Sequence, residues 1–110
     1  MTFIRHSPQG RSPIITINKY HQIHFNAQAI KDFRIKDFQY FILSYAKDRE
    51  QIQFQFTNNP NSIGRYKLSF KITNDASATI NSFCRRFNLH PCQYRSFLYD
   101  QNNNTLQIWK

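Results

Sequence analysis

The chain has 110 residues, 40% of them hydrophobic, with eleven Phe and six Tyr, enough to bury one core but short for two independent ones. Fifteen Lys plus Arg against six Asp plus Glu give a formal net charge of +9, which favours polyanionic partners, nucleic acid ahead of an anionic surface or an acidic protein. Two cysteines make no disulfide framework, no apolar run reaches membrane-span length, and two glycines leave no phosphate-cradling loop.

Residues 1–13 (MTFIRHSPQGRSP) read as an irregular basic arm without the apolar run of a signal peptide, so a reduced, cytoplasmic protein is expected. Ile14, Ile15 and Ile17 lead into a polar corner, Asn18 to His21, and Ile23 and Phe25 alternate with polar residues after it, which predicts a hairpin. Asn26 is the expected N-cap of a short helix with Ala29, Ile30 and Phe33 along one stripe. Gln39–Tyr45 reads as a central strand, apolar on both faces. Lys47–Glu50 makes a charged turn, and Gln51–Thr57 (QIQFQFT) alternates cleanly as a half-buried antiparallel strand. Asn58–Gly64 is a connector.

Tyr66–Ile72 predicts one strand with Tyr66, Leu68, Phe70 and Ile72 inward and Lys67, Ser69 and Lys71 outward. A turn at Thr73–Asp75 and a return strand Ser77–Ile80 follow. Asn81 or Ser82 should cap a second helix bearing Phe83, Cys84 and Phe87, which His90-Pro91 stops. Gln93–Tyr99 and Thr105–Trp109 close the chain as a hairpin. Superposing the halves at an offset of 54 matches Phe33 with Phe87, Tyr45 with Tyr99 and Gln53 with Gln107, among five identities over residues 33–55. That exceeds the chance level of about one or two and predicts an internal duplication. The expected organisation is an arm at 1–13, a first repeat at 14–57, a linker at 58–65 and a second repeat at 66–110, together one domain.

The repeated strand-strand-helix-strand-strand unit resembles the AbrB/MazE/SpoVT family of swapped-hairpin DNA-binding domains. The matching pieces are ITINKYHQIHFN-AQAIKDFRI-KDFQYFILSY-KDRE-QIQFQF and YKLSFKITNDASATIN-SFCRRFNL-HPCQYRSFLYD-NNNTLQIW. The resemblance implies a mainly β fold, in which two units interlock into one β-barrel. With both units in one chain, as in MraZ-like proteins, the result would be a monomeric pseudo-dimer, or a homodimer of such chains. It also implies DNA binding through the hairpins and short helices: Arg85 and Arg86 stand where the family carries an arginine pair, Lys31 at the corresponding place in the first half, and Lys19 and His21 at the first hairpin tip. The family's turn glycine, its Gly-Asp after the helix and its strand arginines have no counterpart here.

From the residues themselves, Arg65, Lys67 and Lys71 are read as a phosphate-tracking stripe, Arg85 and Arg86 as a bidentate clamp, and Tyr20 as a stacking contact. A solvated face is the bland alternative for the charges. Cys84, His90, Cys92, His21 and His24 lack zinc spacing, and the carboxylates pair with no histidine in an acid–base pattern. The expectation is a non-enzymatic DNA-binding regulator without cofactor, with an RNA-binding component or a module for an acidic protein partner as rivals.

Overall fold

The computed structural model describes residues 12–110, and the expected arm therefore lies almost entirely outside the described residues. In chain order the elements are β1 (Ile15–Ile17), β2 (Gln22–Phe25), α1 (Ala27–Asp32), a 3-10 turn (Ile35–Asp37), β3 (Tyr40–Ala46) and β4 (Gln51–Thr57). β5 (Tyr66–Lys67), β6 (Ser69–Phe70), β7 (Ala76–Thr79), α2 (Asn81–Phe87), β8 (Cys92–Tyr94), β9 (Ser96–Asp100) and β10 (Thr105–Trp109) follow. The fold is mainly β. Its strands form two five-stranded antiparallel sheets, ordered β6-β7-β2-β1-β8 and β5-β3-β4-β10-β9, and not the expected closed barrel.

The two sheets share chain rather than strands. Leu68 alone separates β5 from β6, and Arg95 alone separates β8 from β9, so each run of chain leaves one sheet and joins the other. In each case the sequence pattern predicts a single strand. Leu68 remains buried and its N–H donates to the Gln39 carbonyl at 2.9 Å. Beyond it, the expected inward alternation fails: Phe70 is 42% exposed and Ile72 fully exposed. Period-two patterning identifies a side of a strand, but here the strand changes sheets at Leu68 and its reference surface changes with it. β3 lies inside its sheet, between β5 and β4, but β5 pairs with it only at Tyr40 and Phe41. On the β4 side, Phe41, Leu43 and Tyr45 lie opposite Phe56, Phe54 and Ile52.

Spacing by 54 positions organises the whole. β2 and β7, α1 and α2, and β4 and β10 each begin 54 residues apart. The left-handed backbone positions repeat too, with Arg34 (φ 53) answered by Asn88 (φ 53) and Glu50 (φ 51) by Asn104 (φ 55). Gln53 and Gln107 face each other in the β4–β10 ladder, joined by an amide hydrogen bond of 3.2 Å. In the other sheet, Gln22 to Phe25 lie opposite Thr79 to Ala76, the pairing expected of strands related by a local twofold.

The core fills the space between the sheets. Ile15, Ile17, Ile23 and Phe25 face Phe41, Ile52, Phe54 and Phe56, and Phe25 meets Phe41 and Phe54 edge-on at 6.0 and 5.6 Å. Such aromatic geometry adds to simple area burial. The helices close the open sides. Phe33, after α1, packs on Tyr99 of β9 at 5.4 Å, and Phe87 of α2 on Tyr45 of β3 at 4.9 Å. Cys84 is a buried, apolar-packed thiol whose pKa burial raises, and Cys92 is partly buried beside the same core.

Candidate nucleic-acid interface

Two composite surfaces combine a helix of one half with the hairpin tip of the other: Asn74 lines a groove with α1, and His21 bonds to the start of α2. On the first, Asn26 sets the geometry. Its Oδ1 accepts from Ala29 N at 2.9 Å and Ile14 N at 3.0 Å, while its Nδ2 donates to the Ser12 carbonyl at 3.0 Å. One side chain therefore caps α1, as expected, and ties the chain before β1 to it. α1 lasts six residues and Arg34 ends it in the left-handed conformation, with its guanidinium 3.4 Å from the Asp37 carboxylate. A groove of about 1000 Å³ opens here, with Lys31, Arg34, Lys36 and Arg95 around it, Asp37 as the sole carboxylate among the described residues lining it, and Asn74 of the second hairpin tip at its edge.

The second tip is held by its own network. Lys71 N donates to the Asp75 carbonyl at 2.9 Å and Asn74 N to the Lys71 carbonyl at 3.0 Å. His24 Nε2 on β2 lies 2.6 Å from Asp75 Oδ2, and the Thr73 hydroxyl donates to the other carboxylate oxygen. These bonds, Thr73 first and His24 next, hold the Asp75 carboxyl down to about 2. Such stabilisation of the ionised form is the ordinary effect of donors aimed at a carboxylate. Lys71 stands exposed beside Ile72 at this tip.

On the second surface, Asn18 shapes the first hairpin tip: its Oδ1 accepts from Tyr20 N at 2.9 Å and Gln22 N at 3.0 Å, an Asx turn. His21 (φ 59) then docks on α2, its carbonyl accepting from Ile80 N at 2.9 Å and its Nδ1 lying 2.6 Å from Asn81 Oδ1. The cap expected from Asn81 or Ser82 is therefore absent. Ile80 occupies the cap position without a side-chain bond, and the Asn81 amide is turned to His21 instead. His21 thus stitches tip to helix. Lys19 and Tyr20 are left outside, with the Tyr20 ring 66% exposed and the Lys19 ammonium 5.2 Å from its centre. Arg85 and Arg86 are exposed on α2, with the Arg86 guanidinium 5.4 Å from the Phe87 ring.

The structure thus brings Lys31 together with the second tip, and Arg85 and Arg86 onto the helix that His21 joins to the first tip bearing Lys19 and Tyr20. It does not build the expected stripe of Arg65, Lys67 and Lys71. Lys67 belongs to the second sheet and Lys71 to the tip of the first, while the Arg65 guanidinium donates to the Ser62 carbonyl at 3.3 Å and lies 5.8 Å from the Tyr40 ring. The sequence reading missed Arg34, Lys36 and Arg95. Their one legible signal was the cationic run around the end of α1, Lys31-Asp32-Phe33-Arg34-Ile35-Lys36. No group of His, Cys, Asp and Glu able to hold a metal ion occurs among the described residues, and no helix there is long and apolar enough to cross a membrane. Comparison with family models, with curated proteins and with solved structures gave no match.

Proposed function

We propose that the protein is a non-enzymatic DNA-binding regulator, a transcription regulator or antitoxin-like repressor, which sits on the duplex through phosphate contacts. One observation carries the reading: Lys31 and Arg85 occupy equivalent positions, 54 residues apart, on two exposed helices. Asn74 of the second tip, the tip that carries Lys71, lines the groove beside α1, and His21 of the first tip, the tip that carries Lys19, is bonded to the start of α2. Two cationic surfaces related by a local twofold suit the twofold symmetry of a DNA backbone. The swapped-hairpin interpretation is supported by pairing across the halves, β1 with β8, β5 with β3, and β2 with β7.

The test is fluorescence anisotropy with a random duplex at low and then physiological salt. Micromolar or tighter binding that weakens steeply with salt is expected, as counterions are released from neutralised phosphates. Replacing Arg85 and Arg86 by Ala should weaken binding to all sequences alike and lower the log–log salt slope by about two. No binding at low salt would sink the reading. The rival, a protein-binding module, draws on the outer face of β4 and β10, where Gln51, Gln53, Gln55 and Gln107 stand without a cation on either strand. A stoichiometric co-purifying protein together with absent duplex binding would favour it.

A further inference from the structure

The two composite surfaces have diverged, and the difference is chemical. The groove beside α1 gathers Lys31, Arg34 and Lys36 of the first half and Arg95 of the second, against Asp37 as the one carboxylate among the described lining residues. At an offset of 54 their counterparts are Arg85, Asn88 and His90 in the second half and, for Arg95, Phe41 in the first, so one of the four permanent cations is kept. The Arg34–Asp37 contact, at 3.4 Å with both side chains more than half exposed, offsets part of one charge. Arg95 instead donates to the neutral Gln93 amide at 2.9 Å. Lys36 and Arg95 therefore bring net positive charge to the groove from two separate elements, the 3-10 turn and the break between β8 and β9.

The remaining lining is not that of a bare anion site. Ile14, Ala27 and Ile30 supply apolar surface, and the amides of Gln28 and Asn74 lie at the same groove. A volume of about 1000 Å³ is far larger than an inorganic anion needs and falls in the range of organic ligand sites. Arg34 adds a conformational argument. Its backbone is left-handed, and Asn, which tolerates that conformation better, holds the same position in the second half. Backbone conformation is thus the same at this position in both halves, and only the side chain differs.

We propose that this groove binds a nucleoside 5′-phosphate, with the phosphate held between Lys36, Arg95 and Lys31, and the sugar and base laid over Ile14, Ala27 and Ile30. The same chemistry is offered by a free nucleotide and by the 5′-phosphorylated end of a nucleic-acid strand. The groove shares Lys31 with the proposed duplex-binding surfaces, but Lys36 and Arg95 are not among the duplex-binding residues and Arg85 and Arg86 are not in the groove, so variants at those two pairs separate the failure of one reading from that of the other.

The experiment uses the full chain and three probes: thymidine 5′-monophosphate, and 3′-fluorescein hexathymidylate with and without a 5′-phosphate. The phosphorylated oligonucleotide is expected to bind about tenfold more tightly than its 5′-hydroxyl twin, a difference typical of charge-assisted contacts. The double variant Lys36→Ala/Arg95→Ala, both exposed side chains, should remove that increment while keeping the wild-type circular dichroism spectrum. Arg85→Ala/Arg86→Ala should leave the increment in place while weakening random-duplex binding. Displacement by the mononucleotide assigns the site to free nucleotides, and its failure to displace assigns it to strand ends. Equal affinity for the two oligonucleotides with no thermal shift in millimolar mononucleotide would overturn the proposal. An increment that survives in the Lys36/Arg95 variant would overturn it as well, because the phosphate would then be bound elsewhere.

Discussion

Equivalent residues in the two halves show what single side chains contribute. Asn26 and Ile80 precede equivalent helices, yet Asn26 caps its helix through the bond from Ala29 N and holds the chain before β1 through two more, while Ile80 is buried as a core residue and caps nothing. Sequence made Asn26 readable because a polar cap before an apolar stripe is a local signal. It made Asn81 misleading, because that amide pairs with His21, sixty residues away, and no local rule sees such a partner. The turn before β4 invites a stability test. Glu50 is exposed and left-handed (φ 51), and Asn104 holds the same place before β10. A Cβ-bearing residue without a short amide pays a steric cost in that region. Glu50→Asn should raise stability by about 0.5–1 kcal/mol. In urea unfolding the midpoint should move up with an unchanged slope; an unchanged or lowered midpoint would show that Glu50 makes contacts that outweigh its backbone.

At the scale of elements, the strands that stay in one sheet were legible and those that change sheets were not. Gln51–Thr57 buries Ile52, Phe54 and Phe56 in strict alternation, as its sequence demands. Tyr66–Ile72 alternates just as cleanly, yet its last two apolar residues are exposed because the chain turns out of one sheet at Leu68. The cationic groove was unreadable for a related reason. Arg95 comes from a second strand break, and Asn74 from the other half's hairpin. Charge in the sequence is everywhere, and only the fold selects which charges converge. The second hairpin tip is itself fastened by His24 and Asp75, so it should loosen in acid. Asp75 is held at about 2, below its ordinary value of 3.8. Its contribution is therefore complete above about pH 4 and is lost as pH falls from there through 2. Wild-type protein should lose melting temperature across that window, and Asp75→Asn should lose less of it while starting lower at pH 6. Parallel curves for the two proteins would mean that the tip is held by its backbone bonds alone.

The whole molecule is built so that neither half can finish its own sheets. Within the first half, β1–β2 lies in one sheet and β3–β4 in the other, and no ladder joins the two hairpins. The hydrogen-bonded neighbours that complete them, β8, β7, β5 and β10, all come from the second half. The helices follow the same rule, Phe33 resting on Tyr99 and Phe87 on Tyr45. A unit of roughly fifty residues that leaves these partners behind buries too little apolar surface to offset its chain entropy. The 54-residue spacing of matching elements could be read from sequence, since β2 and β7, α1 and α2, and β4 and β10 begin that far apart. The exchange of partners between the halves was expected only through the swapped-hairpin resemblance, because hydrophobic pattern carries no record of which strand lies alongside. Separate fragments covering residues 1–57 and 58–110 should each give the spectrum of an unfolded chain. Mixed in equal amounts they should recover the β signature and dispersed amide resonances of the intact protein, with a midpoint that rises with concentration, since association now replaces the 58–65 connector. A dispersed, concentration-independent spectrum from residues 1–57 alone would show that the first half completes itself. The duplication would then be two small domains in contact rather than one core shared between halves.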